Sequence, residues 1–312
     1  MRLVLIGGPA NPPLSEAVGG TLGVEPTGCE ISRFPDGEIH VELRESVRDA
    51  DVYLLQPTTP PIEANLLQLL FLADACRRAG AARVTAVVPY FAYARQDRRA
   101  TGREAVGARV VADMLEGAGI DRVVAVHLHT TALEGVFSVP LEHLTAMPVL
   151  AAALGEARLP VEVVVSPDAG AVKLAERWGR ALDLPVAVAH KTRVGGEVVR
   201  THGVIGEVRS RRPLIVDDMI STGGTLAGAI TAVLDAGAVP DVVIVATHGL
   251  FVGPAVDRLA ALPVSRLLVT DTVAGVNTGG LPVQRVSVAP LLADAILRLH
   301  DGRSLGDLIL HG

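Results

Sequence analysis

The chain has 312 residues, 49% of them hydrophobic and 20% charged, enough to bury more than one ordinary core and about right for two α/β domains. Its net charge of −6 excludes a general nucleic-acid binder, because affinity for a phosphate backbone needs clustered Lys and Arg. Cys29 and Cys76 match no metal or redox spacing and no disulfide framework. No apolar run approaches the ~18 residues of a membrane span, so no membrane partner and a cytoplasmic location are expected.

The opening MRLVLIGGPANPP reads as a first strand (3–7) and a turn. RFPDGEIHVEL (33–43) carries a Pro-Asp-Gly turn and then alternates like a strand. Short β-branched runs follow at 51–56, 84–90, 122–128, 161–168, 185–190, 212–218, 241–249 and 266–271. Between them lie Ala- and Leu-rich helical patterns at 64–80, 107–119, 171–182 and 224–237. Continuous apolar strands alternating with helices predict parallel sheets covered on both faces. The weakest part of the alternation, 138–160, is taken as the link, giving expected domains 1–145 and 146–312. No G-x-G-x-x-G follows the first strand, which argues against a plain dinucleotide-binding protein.

RPLIVDDMISTGGTLAGAI (212–230) carries the most chemistry. A buried strand ends in Asp217 and Asp218, followed by Ser221, Thr222, Gly223, Gly224 and Thr225, then a helix. In open α/β sheets ligands sit beyond the carboxyl ends of strands. A glycine turn feeding a helix N-terminus offers N–H groups to an anion. Two acids beside it repel phosphate but can hold sugar hydroxyls, directly or through a divalent cation. Phosphate in the loop and a diol on the acids describe a phosphorylated pentose; the bland alternative is an Asp cap and a glycine turn. PYFAYARQDRRATGRE (89–104) sets aromatics that could sandwich a flat ring before Arg95, Arg98, Arg99 and Arg103, with Arg109 nearby. Lys191 and Arg193 lead into Gly195 and Gly196, either as a surface basic pair or as a mobile loop able to close over a polyphosphate.

The 212–230 stretch resembles the ribose-phosphate motif of phosphoribosyltransferase-type proteins. The segments at 33–43 and 89–104, together with 126–137, 165–178, 189–199, 246–259 and 286–308, resemble in order those of the ribose-phosphate pyrophosphokinases. The resemblance spans nearly the whole chain. It implies two similar phosphoribosyltransferase-type (Rossmann-like) α/β domains with mainly parallel sheets. It also implies transfer of the diphosphoryl group of ATP to ribose 5-phosphate, with Mg2+ and a homo-oligomer, dimer or hexamer. Phe34, Asp36, Glu38, Arg95, Gln96 and Asp97 would bind ATP, and Asp217, Asp218 and Ser221 to Thr225 the ribose 5-phosphate. Lys191 and Arg193 would be catalytic, on a loop expected to be unordered without ligand; His129 and Asp168 would be metal ligands. His127 stands where the family has Asp and reads as a structural histidine. Glu134 and Gly306 depart from the family's Gln and Ser at a regulatory site for ADP and phosphate that many members carry. A base phosphoribosyltransferase, or a non-catalytic subunit of a synthetase complex, is the rival reading.

Overall fold

The computed structural model describes residues 1–99, 101–194 and 199–309, without the side chains of 191–194 and 199–202. It divides into two compact units. No helix among the described residues is long and apolar enough to cross a membrane.

The first unit begins with β1 (Arg2–Gly7) and α1 (Pro12–Leu22). Two prolines open α1, Asn11 accepts the Leu14 N–H, and Gly23 closes it at φ 70°. A hairpin follows, β2 (Cys29–Arg33) and β3 (Ile39–Leu43), forming its own antiparallel sheet. Then come β4 (Ala50–Leu55), α2 (Ile62–Arg78), β5 (Arg83–Val88), α3 (Gly107–Ala118), β6 (Arg122–Val126) and β7 (Leu141–Leu144). The main sheet runs β1-β4-β5-β6-β7, parallel throughout. Every residue of β4 is buried, the signature of a strand covered on both faces.

The second unit opens with α4 (Met147–Glu156), β8 (Val163–Ser166), α5 (Val172–Leu182), β9 (Val186–Val194) and β10 (Val199–Ile205). It continues with β11 (Pro213–Ile220), α6 (Gly224–Asp235), β12 (Val242–Gly249), α7 (Ala255–Ala260), β13 (Val264–Thr270) and β14 (Val283–Val286). Its sheet is ordered β10-β9-β8-β11-β12-β13-β14, and only β10 is antiparallel to its neighbour. From β8 the chain moves one way to β9 and β10, then returns to the other side of β8 as β11. That reversal of strand order makes a crevice between the carboxyl ends of β8 and β11. The first unit's main sheet has no such reversal, so the two units share parallel α/β construction but not strand order.

The predicted strands and helices are all present, and two divisions differ from expectation. The presumed link at 138–160 holds structured elements: β7 pairs with β6, and α4 covers the second sheet. The last helix, α8 (Ala289–His300), belongs to the first unit, although the expected boundary put it in the second. Its buried Leu292, Ile296 and Leu299 pack beside α1, and Thr145 N–H donates to the Leu308 carbonyl at 2.9 Å.

A buried ion cluster fixes α8 further. Asp51 on β4 is fully buried and accepts from Arg83 Nε at 2.7 Å and Nη2 at 2.5 Å. It also accepts from the Tyr53 hydroxyl at 3.0 Å and lies 2.8 Å from His300 Nδ1. Burial alone would raise the Asp51 pKa, but the bonds from Arg83, His300 and Tyr53 outweigh it and hold the carboxyl below its ordinary range. The lowered value means that this stabilisation is present above the ordinary carboxylate pKa of about 3.9 and is lost as pH falls through the folded-state value. Arg83→Ala strands a buried charge, so a loss of about 3 kcal/mol is expected at pH 7, shrinking in acid. Urea unfolding across pH checks this; an undiminished gap at pH 3 would refute it.

Candidate active site

The strand-order reversal of the second unit gathers the acids. Asp217 and Asp218 lie within β11, which runs two residues beyond them, and both are half-buried. Asp217 Oδ1 accepts the Asp218 N–H at 2.9 Å. Asp168 follows β8, next to β11, and its Oδ1 accepts the N–H groups of Gly170 at 2.8 Å and Ala171 at 3.2 Å, shaping the entry to α5. Ser166 Oγ donates to the Asp168 carbonyl at 2.7 Å. Burial pushes the Asp217 carboxyl well above its usual range, and the charges of Asp218 and Asp168 push the same way. The reversal therefore brings Asp168, Asp217 and Asp218 into one field.

Beyond β11, Ser221 and Thr222 lead to Gly223, which precedes α6 at φ 72°, a backbone state that favours glycine. A Cβ there would also sit 3.4 Å from Ala255 Cα on α7. No side chain caps α6, and its first internal bond runs from Ala227 N–H to the Gly223 carbonyl at 2.9 Å. The N–H groups of Gly224, Thr225 and Leu226 therefore precede the helical ladder, with the positive end of the helix dipole behind them. A cleft of about 270 Å³ opens here, lined by Asp168, His190, Gly224, Thr225 and Gly228 among others. Arg258 on α7 braces the turn by donating to the Thr222 carbonyl at 2.8 Å. Sequence reasoning missed Arg258, because nothing in its local pattern points to a loop 36 residues away.

In the first unit, Phe34 to Glu38 form the tip of the β2–β3 hairpin. Phe34 N–H donates to the Glu38 carbonyl at 2.9 Å, Gly37 N–H to the Phe34 carbonyl at 2.8 Å, and Glu38 N–H to Asp36 Oδ1 at 3.1 Å. Phe34 is exposed and packs edge-on against His40, ring centroids 5.5 Å apart. Arg95, Gln96 and Asp97 follow β5 in a turn where Gln96 N–H donates to the Tyr93 carbonyl at 2.8 Å. Asp97 lies 4.0 Å from Arg98. One expectation for this segment fails. Tyr90 and Phe91 are buried, Phe91 against Phe137, so they cannot sandwich a ligand ring, and only Tyr93 is half-exposed. Arg109 pairs with Asp113 at 2.5 Å and donates to the Val136 carbonyl at 2.6 Å, so it is committed within the unit.

His129 is exposed just past β6 in the first unit, whereas Asp168 belongs to the second. His127 is buried with φ 45° and donates its N–H to the Leu144 carbonyl at 2.8 Å, as suits a structural position. Between them, Leu128 N–H donates to Nε2 of the fully buried His143 at 2.7 Å. His143 was missed because β7 was read as linker. Glu134 lies 3.9 Å from His143 Nδ1, and Gly306 N–H donates to Ser304 Oγ at 3.2 Å. The backbones of Lys191 and Arg193 are in β9, opposite His202 and Arg200 of β10. Their side chains, and the expected unordered loop at Gly195 and Gly196, lie outside the described residues.

Comparison with known proteins adds three family matches: the N-terminal domain of ribose phosphate pyrophosphokinase over residues 3–119, the phosphoribosyl transferase domain over 150–249, and the phosphoribosyl synthetase-associated domain over 200–310. A ribose-phosphate pyrophosphokinase of Caldanaerobacter subterraneus is 41% identical, covering 98% of this chain and 97% of its own. That of Corynebacterium efficiens is 42% identical over 98% and 95%. The crystal structure of phosphoribosylpyrophosphate synthetase from Mycobacterium smegmatis is 39% identical, with a TM-score of 0.91, covering 97% of this chain and all of that one.

The raised Asp217 pKa has a stability consequence. Folding favours the protonated acid, so the benefit is complete below the ordinary value of about 3.9 and is lost as pH rises through the folded-state pKa. Asp217→Asn removes the charge, so the ligand-free variant should melt higher than the parent at pH 7, with the gain fading toward pH 4. Calorimetry of the two proteins checks this, and coincident melting temperatures at pH 7 would contradict it.

Proposed function

Because the chain belongs to the ribose-phosphate pyrophosphokinase family, we propose that it moves the diphosphoryl group of ATP to the 1-hydroxyl of ribose 5-phosphate for nucleotide biosynthesis. The products are 5-phospho-α-D-ribose 1-diphosphate and AMP. Relatives of nearly the same length carry the pyrophosphokinase name, which favours this over a base phosphoribosyltransferase or a non-catalytic subunit. One observation supports the residue-level reading above all: an uncapped helix N-terminus stands beside two acids at a strand-order reversal. The N–H groups at the start of α6, with Ser221, Thr222 and Thr225, hold the 5-phosphate. Asp217 and Asp218 hold the ribose hydroxyls, and a diol relieves their mutual repulsion by donating to both.

The 1-hydroxyl oxygen bonds to the β-phosphorus, the bond from that phosphorus to the α,β-bridging oxygen breaks, and AMP departs with the electron pair. The hydroxyl proton leaves toward the Asp217–Asp218 pair. Catalysis of this kind is mostly alignment and neutralisation of phosphate charge. Phe34, Asp36, Glu38, Arg95, Gln96 and Asp97 orient the ATP, and Lys191 and Arg193 offset charge on the transferring group. Mg2+ fits the available donors, because it is usually held by one or two carboxylates with phosphate and water supplying the rest. Among the described residues no cluster of three or more His, Cys, Asp or Glu forms a ready cage. His129 in the first unit and Asp168 in the second would each serve as a metal ligand, and a bound ion would supply charge neutralisation at the phosphates.

The test is AMP formation from ATP and Mg2+, with and without ribose 5-phosphate. Sugar-dependent AMP that falls by about a hundredfold or more in Lys191→Ala is expected, the scale of losing one preorganised donor. AMP made equally well without sugar would overturn the assigned reaction. Full activity in Lys191→Ala would remove that residue from it.

A further inference from the structure

The turn after β5 keeps a backbone that its own sequence does not favour. Tyr93 lies at φ 65°, in the left-handed region that bulky side chains rarely adopt. Such a residue persists when its surroundings fix it from both sides. On the far side, Gln96 N–H donates to the Tyr93 carbonyl at 2.8 Å, and the Gln96 carbonyl accepts the Ala108 N–H at the start of α3 at 3.2 Å. On the near side the holder is Thr58, which follows β4. Its hydroxyl accepts the Ala92 N–H at 2.7 Å and donates to the Tyr90 carbonyl at 3.1 Å. The Thr58 N–H donates to the same carbonyl at 2.9 Å. Thr58 and Ala92 are each 2% exposed, so bulk water does not stand ready to replace the hydroxyl. Thr58 is held in turn: Asn65 Nδ2 donates to the Thr59 carbonyl at 2.7 Å, and Gln56 Nε2 to the Asn65 carbonyl at 3.3 Å.

We infer that Thr58 is a positioning residue for ATP: its hydroxyl fixes the turn that aims Arg95, Gln96 and Asp97. The inference rests on the reading that those three residues orient the nucleotide. Thr58 is buried and acts through them. A hydroxyl donates and accepts at once, and this position uses both capacities. Valine has the same shape and can do neither. With valine the Ala92 N–H would be buried without a partner, and the turn would regain one by moving toward water. Arg95 lies three residues on, beyond the strained Tyr93, so a shift at Ala92 is carried to it. Misplacing a positioning group by about 1 Å costs on the order of a hundredfold. Phe91 and Ala94 already anchor the turn in the apolar core, so Thr58 adds direction rather than bulk.

Steady-state AMP formation by the full-length protein tests it, with ATP and ribose 5-phosphate varied in turn at fixed Mg2+. Thr58→Val should raise the KM for ATP about tenfold or more and leave the KM for ribose 5-phosphate unchanged. Thr58→Ser, which keeps the hydroxyl, should return the KM for ATP to the parent value. Far-UV circular dichroism shows whether Thr58→Val folds. If it does not, Thr58→Cys takes its place, since a thiol bonds weakly, and the same selective rise is expected. Arg95→Ala should raise the KM for ATP as well, and it separates the inference from the reading beneath it. If Arg95→Ala acts and the folded Thr58 variant does not, the ATP reading stands and the inference falls. If neither acts, or the parent makes no sugar-dependent AMP, the reading falls and the inference with it. A serine variant as impaired as the valine one, or equal rises in both KM values, would reduce Thr58 to a structural residue and overturn the inference too.

Discussion

Like charges held at adjoining strand ends are the constraint around which the second unit is arranged. Asp217 and Asp218 are consecutive on β11, Asp168 follows the neighbouring β8, and burial of Asp217 adds to the cost of charging it beside the other two. Such a cluster is tolerated because the crevice next to it ends in the positive N-terminus of α6, left without a side-chain cap. The features surrounding it serve that juxtaposition. The reversal of strand order puts β8 beside β11. Gly223 supplies the left-handed turn and lets α7 approach, and Arg258 braces the turn from α7. Stability is given up at the acids, and the proposed hydroxyl or cationic partners would recover it on binding.

The first unit follows another plan. Its five strands run in one direction of growth without reversal, and the segments proposed to orient ATP are the hairpin tip and the turn after β5. Both are carried on the same core: Cys29, Ile31, Val41 and Leu43 of the hairpin pack on it, as do Phe91 and Ala94 of the turn. That explains the aromatics of PYFAYA. Rings at Tyr90 and Phe91 hold the turn from beneath and leave Arg95 and Gln96 outermost. Rigid support under a polar tip is the arrangement a positioned charge requires.

Most of the architecture could be read from the chain because its strands are doubly covered. Runs such as DVYLL and VVIVATHG carry no polar alternation and are buried end to end. The stretch around Asp217 was legible because three signals coincide there, namely a buried strand, paired acids and a glycine turn. Other features had no local signal. α1 contains Gly19 and Gly20, which read as breakers. Gly19 is needed because a Cβ there would fall 2.7 Å from the Val24 carbonyl oxygen and 2.8 Å from Pro26. β7 has four residues and no β-branched member, so it looked like linker, and His143 went unseen with it. Arg258 and His300 find their partners through the fold rather than through sequence spacing.

The return of α8 to the first unit sets an order of events during synthesis. β1 and α1 leave the ribosome well before α8, so α1 lacks its neighbour, and Asp51 lacks His300, until 289–300 have been made. The second unit is almost contiguous, from Met147 to Asp271 with one short return, so it can close before α8 has left the ribosome. The part translated first is thus the part completed last. A ribosome that stops early releases a protein whose crevice between β8 and β11 is formed while its first core stands open along the flank of α1. Such a fragment exposes apolar surface of the kind that chaperones and proteases recognise.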